Sequence, residues 1–229
     1  KETEDLIQSK CVLFSKGRVL INSYDPYYKY EVILPYVFPY ELKAKSPDYN
    51  ELIEWGELIK ESQNILKKYW PEIEGAIGYY LYEIVPIKSP LEDVSISNTS
   101  SSFHGSIFCS DTEPYEMSET LIHEFSHNLL NDVMDNYDIF DKDSSRKEDF
   151  YSPWRPDPRH LNGILHAVYV FEKVAEYYAR LLMDKNNNDI DTHYVYRYSL
   201  IVSRLKLAII TIIDNAILTN FGKKFIDSL

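Results

Sequence analysis

From Arg18 to Tyr40, Val, Ile and Tyr crowd together with Pro35 and Pro39 as interruptions, a pattern of strands broken by turns. Between Tyr49 and Trp70 the apolar residues Leu52, Ile53, Leu58, Ile59, Ile65 and Leu66 recur at helical spacing, and Pro71 stops the run. Ile77 to Ile87 is β-branched and aromatic and predicts a core strand. Leu91 to Ser110 combines a Ser/Thr/Asn-rich turn with a short strand over Ser106–Cys109. Pro114 is placed to open a helix, with Asp111 and Thr112 as capping candidates. Leu121, Ile122, Phe125, Leu129, Leu130 and Val133 form the apolar stripe of that helix. A polar connection runs from Asp135 to Pro158, and Pro153, Pro156 and Pro158 predict a stiff loop there rather than a helix. Helical stretches from His160 to Met183 and from Thr192 to Thr219 close the chain. The order predicts one α+β domain over 1–229, with N-terminal strands and a helix over 1–74 and a core over 75–229.

Composition narrows the function classes. The 229 residues carry 24 basic and 36 acidic side chains, a net charge of −12, which argues against a general nucleic-acid binder gripping phosphates with clustered Lys and Arg. The 20 tyrosines serve packing or line a groove. Cys11 and Cys109 are too few for a disulfide scaffold and have no paired metal spacing. Leu207 to Leu218, the most apolar late stretch, contains Asp214 and is too short to span a bilayer, so a buried helix is expected and no membrane partner. No basic-then-apolar leader is visible and the chain opens on Lys1 rather than Met, as expected of a trimmed chain or a piece of a longer polypeptide. A cytoplasmic location follows as the expectation.

The chemistry concentrates in His123-Glu124-Phe125-Ser126-His127. Residues four apart on a helix share a face, so two imidazoles can meet one cation, while Glu124 projects about 100° around the helix. This is the His-Glu-x-x-His arrangement that suits zinc or iron; the bland alternative is two ordinary helix-face histidines. A third ligand must come from elsewhere. The metzincin continuation needs Gly at 130 and His at 133, and Leu130 and Val133 exclude it. Glu172 and Glu176 qualify by type for a gluzincin continuation, and His166 is either a ligand or a satisfied core histidine.

Three segments carry a resemblance to a known family: Glu119 to His127, Tyr151-Ser152-Pro153-Trp154-Arg155-Pro156-Asp157-Pro158-Arg159, and Leu161 to Tyr169 with His166 inside it. Over about residues 75 to 182 the chain resembles the bacterial HExxH-type iron- and 2-oxoglutarate-dependent peptide β-hydroxylases. The Pro-Trp-Arg segment is the most specific of the three, because a zincin protease has no use for it. The resemblance implies a zincin-like α+β fold: a small N-terminal sheet, the HExxH helix and a helical C-terminal half. It implies Fe(II) held by His123, His127 and His166, and 2-oxoglutarate chelating the metal. It also implies Arg155 or Arg159, with Arg159 preferred, as the anchor of the far carboxylate, a task suited to the planar guanidinium fork. The expected reaction is hydroxylation of a side-chain β-carbon in a ribosomally made precursor peptide.

Glu124 divides this reading from its rivals. In a zinc metallopeptidase it is the general base toward metal-bound water, with Glu172 or Glu176 as third ligand. In an iron oxygenase it orients a ligand, a water or the peptide. A non-catalytic peptide-binding domain with a structural metal is the remaining alternative. Trp154 and Tyr151 either wall a pocket or pack, and His104 and His160 are polar pocket residues or solvated and capping ones. The charged run of Asp141, Asp143, Arg146, Lys147, Glu148 and Asp149 reads as a solvated loop or a lid.

Overall fold

The structure is a computed structural model that describes residues 9–22, 49–89, 94–101, 103–142, 144, 150–184 and 192–229. The strands expected over 23–40 and the charged residues at 143 and 146–149 lie outside these. The described chain is mixed α+β, in two compact units, Lys1–Asn128 and Leu129–Leu229.

In the first unit, β1 (Ser9–Phe14) and β2 (Gly17–Asn22) form an antiparallel hairpin, Phe14 opposite Gly17. Helix α1 (Tyr49–Tyr69) buries Leu52, Ile59 and Leu66, two turns apart each time, and leaves Ile53 exposed. Pro71 stops it as expected, and it also occupies the first turn of α2 (Pro71–Tyr80), where its missing N–H costs no hydrogen bond. The strand expected from Ile77 is therefore shorter than predicted: β3 covers only Glu83–Pro86. β-Branched and aromatic residues fit either state, and packing decided. Ile73 and Ile77, one turn apart, are buried, and Gly78 lets α2 touch the hairpin at backbone distance.

β4 (Ser97–Asn98), where only a turn was expected, pairs antiparallel with β5 (Ser106–Cys109). The sheet order is β1-β2-β3-β5-β4, with β3 parallel to both β2 and β5. All of β3 and β5 is buried, as expected for strands covered on both faces. A buried carboxylate ties the layers together: Glu74 of α2 accepts from Gln63 Nε2 at 2.6 Å and from the hairpin N–H of Ser15 at 2.9 Å.

Helix α3 (Pro114–Asn136) starts at the predicted proline and runs across the boundary between the units. The capping position differs from expectation. The Glu113 carbonyl accepts the Met117 N–H at 2.8 Å, and Thr112 donates to the Glu116 carboxylate at 2.5 Å.

The second unit packs α4 (Leu161–Leu182) against α5 (Thr192–Asn215). Leu165, Val168, Tyr177 and Leu181 of α4 are buried, as are Ile201, Leu205, Ala208 and Ile212 of α5. α5 ends four residues short of the predicted Thr219, which instead caps α6 (Asn220–Ile226) by accepting the Gly222 N–H at 2.9 Å. The stiff loop before α4 is closed by two backbone bonds, Phe150 N–H to Arg159 O at 2.7 Å and Arg159 N–H to Phe150 O at 2.8 Å. Among the described residues, no helix is long and apolar enough to cross a membrane.

A Cβ added at Gly17 would lie 1.7 Å from the Gly78 carbonyl oxygen, and one at Gly78 would lie 2.1 Å from Phe14 Cβ. Gly17→Ala and Gly78→Ala are each expected to lower unfolding free energy by about 1–3 kcal/mol or more, the cost of overpacking. Gly75→Ala meets only the flexible Lys16 side chain at 3.4 Å, so it should be neutral or gain up to about 1 kcal/mol of helix propensity. Urea unfolding midpoints of the three variants test the ordering.

Candidate metal centre

Helix α3 sorts its residues by angle. Leu121, Ile122 and Phe125 enter the core, and the Phe125 ring meets Tyr80 edge-on at 5.8 Å. His123 and His127 come out together on a half-buried face, ring centroids 4.9 Å apart and planes 69° apart. That is the side-by-side placement the spacing predicted, and it suits two nitrogen ligands to one cation.

Glu124 turns inward and is only 2% exposed. Ser97 of β4 donates to its Oε1 at 2.7 Å, while Oε2 has no hydrogen-bond partner among the described residues. Burial pushes the carboxyl up to about 7, and the Ser97 bond pulls the other way. The group is thus poised to hold or release a proton near neutrality.

Asn128 shares the inward face, one turn beyond Glu124. It donates to Thr99 Oγ1 at 2.8 Å and to the Glu124 carbonyl at 3.2 Å, and accepts the Gly105 N–H at 3.2 Å. Thr99 in turn donates to the Ser106 carbonyl at 2.8 Å. These bonds pin the motif helix to the β4–β5 connection, where Gly105 has a φ of 77° that favours glycine. Neither Ser97 nor Asn128 was among the residues expected at the site. Cys109 is fully buried, and burial first, then the Glu124 and Asp111 charges, raise its thiol above the usual range. It is a core residue, not a reactive one.

The third-ligand candidates lie on α4 in the second unit. His166 is half-buried, and burial lowers its pKa, which favours the neutral imidazole. Glu176 is engaged by Arg180 through Nε at 3.0 Å and Nη2 at 2.7 Å, and Glu172 lies 2.8 Å from Lys173 Nζ. Among the described residues no group of three or more His, Cys, Asp or Glu side chains is drawn together tightly enough to hold a metal ion.

On the proline-rich loop, Arg155 Nε and Arg159 Nε approach the two oxygens of Asp157, at 3.2 and 2.9 Å. The Arg159 contact is an ion pair without hydrogen-bond alignment, and its Nε is otherwise buried without an acceptor. Arg159 lies along the first turn of α4, where a Cβ at Gly163 would be 3.4 Å from its own Cβ. Trp154 stacks on Phe171 at 4.7 Å with planes 3° apart, and its buried indole N–H has no acceptor among the described residues. Tyr151 is 70% exposed. His104 and His160 are exposed, and His160 makes no side-chain cap bond at the start of α4.

Compared with known proteins, the chain matches no family model and no curated sequence.

Asn128→Ala should cost about 1–3 kcal/mol, because it strands buried polar partners on the β4–β5 connection. Asn128→Asp keeps the acceptor for Gly105 but sets a carboxylate oxygen against the Glu124 carbonyl and buries a charge, so it should cost at least as much. Thermal unfolding of the metal-free protein measures both, and a neutral Asn128→Ala would remove this tie from the account.

Proposed function

We propose that this chain is an iron(II)- and 2-oxoglutarate-dependent dioxygenase with a zincin-like fold, which hydroxylates a side-chain β-carbon of a ribosomally made peptide in the cytoplasm. The observation that carries the proposal is the loop of Trp154, Arg155 and Arg159. It is clasped by backbone bonds at Phe150 and Arg159; the Trp154 indole N–H and Arg159 Nε lack aligned acceptors among the described residues, and Arg155 Nε donates to Asp157. Donors of this kind fit a carboxylate ligand. A zinc peptidase has no need of them.

His123 and His127 would hold the metal, their paired rings supplying two nitrogens. His166 is assigned as the third ligand on the sequence resemblance; the double contact from Arg180 weakens the claim of Glu176 to that place, while Glu172 Oε2, beside Lys173, is buried without a hydrogen bond among the described residues. Iron, when bound with 2-oxoglutarate and O2, supplies the oxidising chemistry at the peptide C–H bond. Arg159, with Arg155 beside it, would orient the cosubstrate by its far carboxylate, taking over the place Asp157 now occupies between them. Glu124, fixed by Ser97, would hold a proton or a hydrogen bond next to the metal face.

One observation favours the rival. A buried carboxyl raised to about 7 with one oxygen unpartnered matches a general base, as a zinc metallopeptidase requires.

Anaerobic titration separates the two. Fe(II) with 2-oxoglutarate should give the wild type a weak visible charge-transfer band. His123→Ala, His127→Ala and His166→Ala should each lower metal affinity by roughly 10-fold or more. Unchanged stoichiometric metal binding in the His123 and His127 variants would remove the metal centre itself.

Arg159→Ala should leave metal loading intact and weaken 2-oxoglutarate binding by roughly 10- to 150-fold, with Lys rescuing only in part. Arg155→Ala is the matched comparison. Equal cosubstrate affinity in all three proteins, together with zinc-dependent peptide cleavage that Glu124→Gln abolishes, would establish the peptidase instead.

A further inference from the structure

Away from the histidine pair, the first unit carries two cavities of about 720 and 540 Å³ that share Glu51, Lys88, Asp111 and Thr112. One wall is helix α1, where Glu54, Leu58 and Glu61 repeat at helical spacing along one edge, with Ile53 and Glu57 beside them. The lining also takes in Asp111 and Glu113 just before α3 and Glu116 in its first turn. Lys88, the one cationic side chain among the described lining residues, is paired with Glu51.

This groove is both acidic and partly apolar. Ile53 is 41% exposed and Val94 46% exposed at its lining. Like charges three and four residues apart on a helix repel, so Glu54 and Glu61, exposed on the same face as Glu51 and Glu57, add negative charge that a cationic partner would offset. Lys88 offsets Glu51, and Lys60, 3.4 Å from Glu57, offsets a second of the four.

We propose that the groove docks a basic, amphipathic peptide segment, its Lys or Arg heads on the carboxylates and its apolar side chains over Ile53 and Val94. Charge complementarity selects this occupant. An acidic peptide or a nucleic acid meets a field of its own sign, and a lone divalent cation leaves the apolar surface uncovered. The groove also leads toward the motif. Ser95 lines it, Ile96 exchanges hydrogen bonds with Ser110 at 2.9 and 2.8 Å, and the next residue, Ser97, holds Glu124. A chain docked here lies beside the strand that flanks the HExxH helix. The proposal goes beyond the hydroxylase reading and does not depend on which metal, if any, is bound.

The test is fluorescence anisotropy of a fluorescein-labelled, lysine-rich amphipathic peptide with the full chain in EDTA, so that metal chemistry plays no part. Wild type should bind it, more weakly as salt rises, and should not bind the same peptide with Glu in place of Lys. Glu54→Lys/Glu61→Lys, both at exposed positions, should bind at least about 10-fold more weakly. Asp214→Lys/Asp227→Lys makes the same change in net charge at exposed positions outside the groove and should bind like wild type. The proposal is overturned if the lysine peptide does not bind a wild type of normal circular dichroism. It is equally overturned if the acidic peptide binds as well, or if the two double variants lose affinity alike.

Discussion

The inward turn of Glu124 organises the motif helix. Because each residue advances about 100°, a helix that buries Phe125 and Ile122 must carry Glu124 toward the sheet and leave His123 and His127 together on the other side. A carboxyl so placed demands a partner, and Ser97 supplies one from β4. Asn128, one turn on, repeats the arrangement toward Thr99 and Gly105. The short edge strand, the positive-φ turn at Gly105 and the angle of the histidine face are thus linked through two side chains.

Periodicity made much of this legible in the sequence. Pro71 marked a helix stop and Pro114 a helix start correctly, because a residue with fixed φ and no N–H has few places to go. The i, i+4 histidines were bound to share a face once the helix existed. Ile77 to Tyr80 misled because β-branched and aromatic residues satisfy a buried helix as well as a strand. The deciding contact was Gly78 against Phe14, more than sixty residues apart in the chain. Ser97 could not be found locally, since its role depends on β4 pairing with β5. Asn128 could have been: it stands four residues after Glu124 and therefore on the same buried face.

The arginine loop shows the same division between local and distant information. Its prolines announced rigidity, whereas the pairing of Asp157 with Arg155 and Arg159 was not among the expectations. The stacking of Trp154 on Phe171 of α4 was not written nearby. The buried Trp154 indole N–H is left without an acceptor among the described residues.

The clasp between Phe150 and Arg159 has a consequence for ligand thermodynamics. A loop that must be ordered as its ligand arrives loses backbone freedom of about 1–2 kcal/mol per residue at that moment. Here the prolines already narrow the unfolded ensemble, and two backbone bonds close the loop during folding. An anion reaching Arg159 and Trp154 would meet a preorganised surface, so its binding should carry little ordering entropy and be governed by the exchange of one carboxylate, that of Asp157, for another.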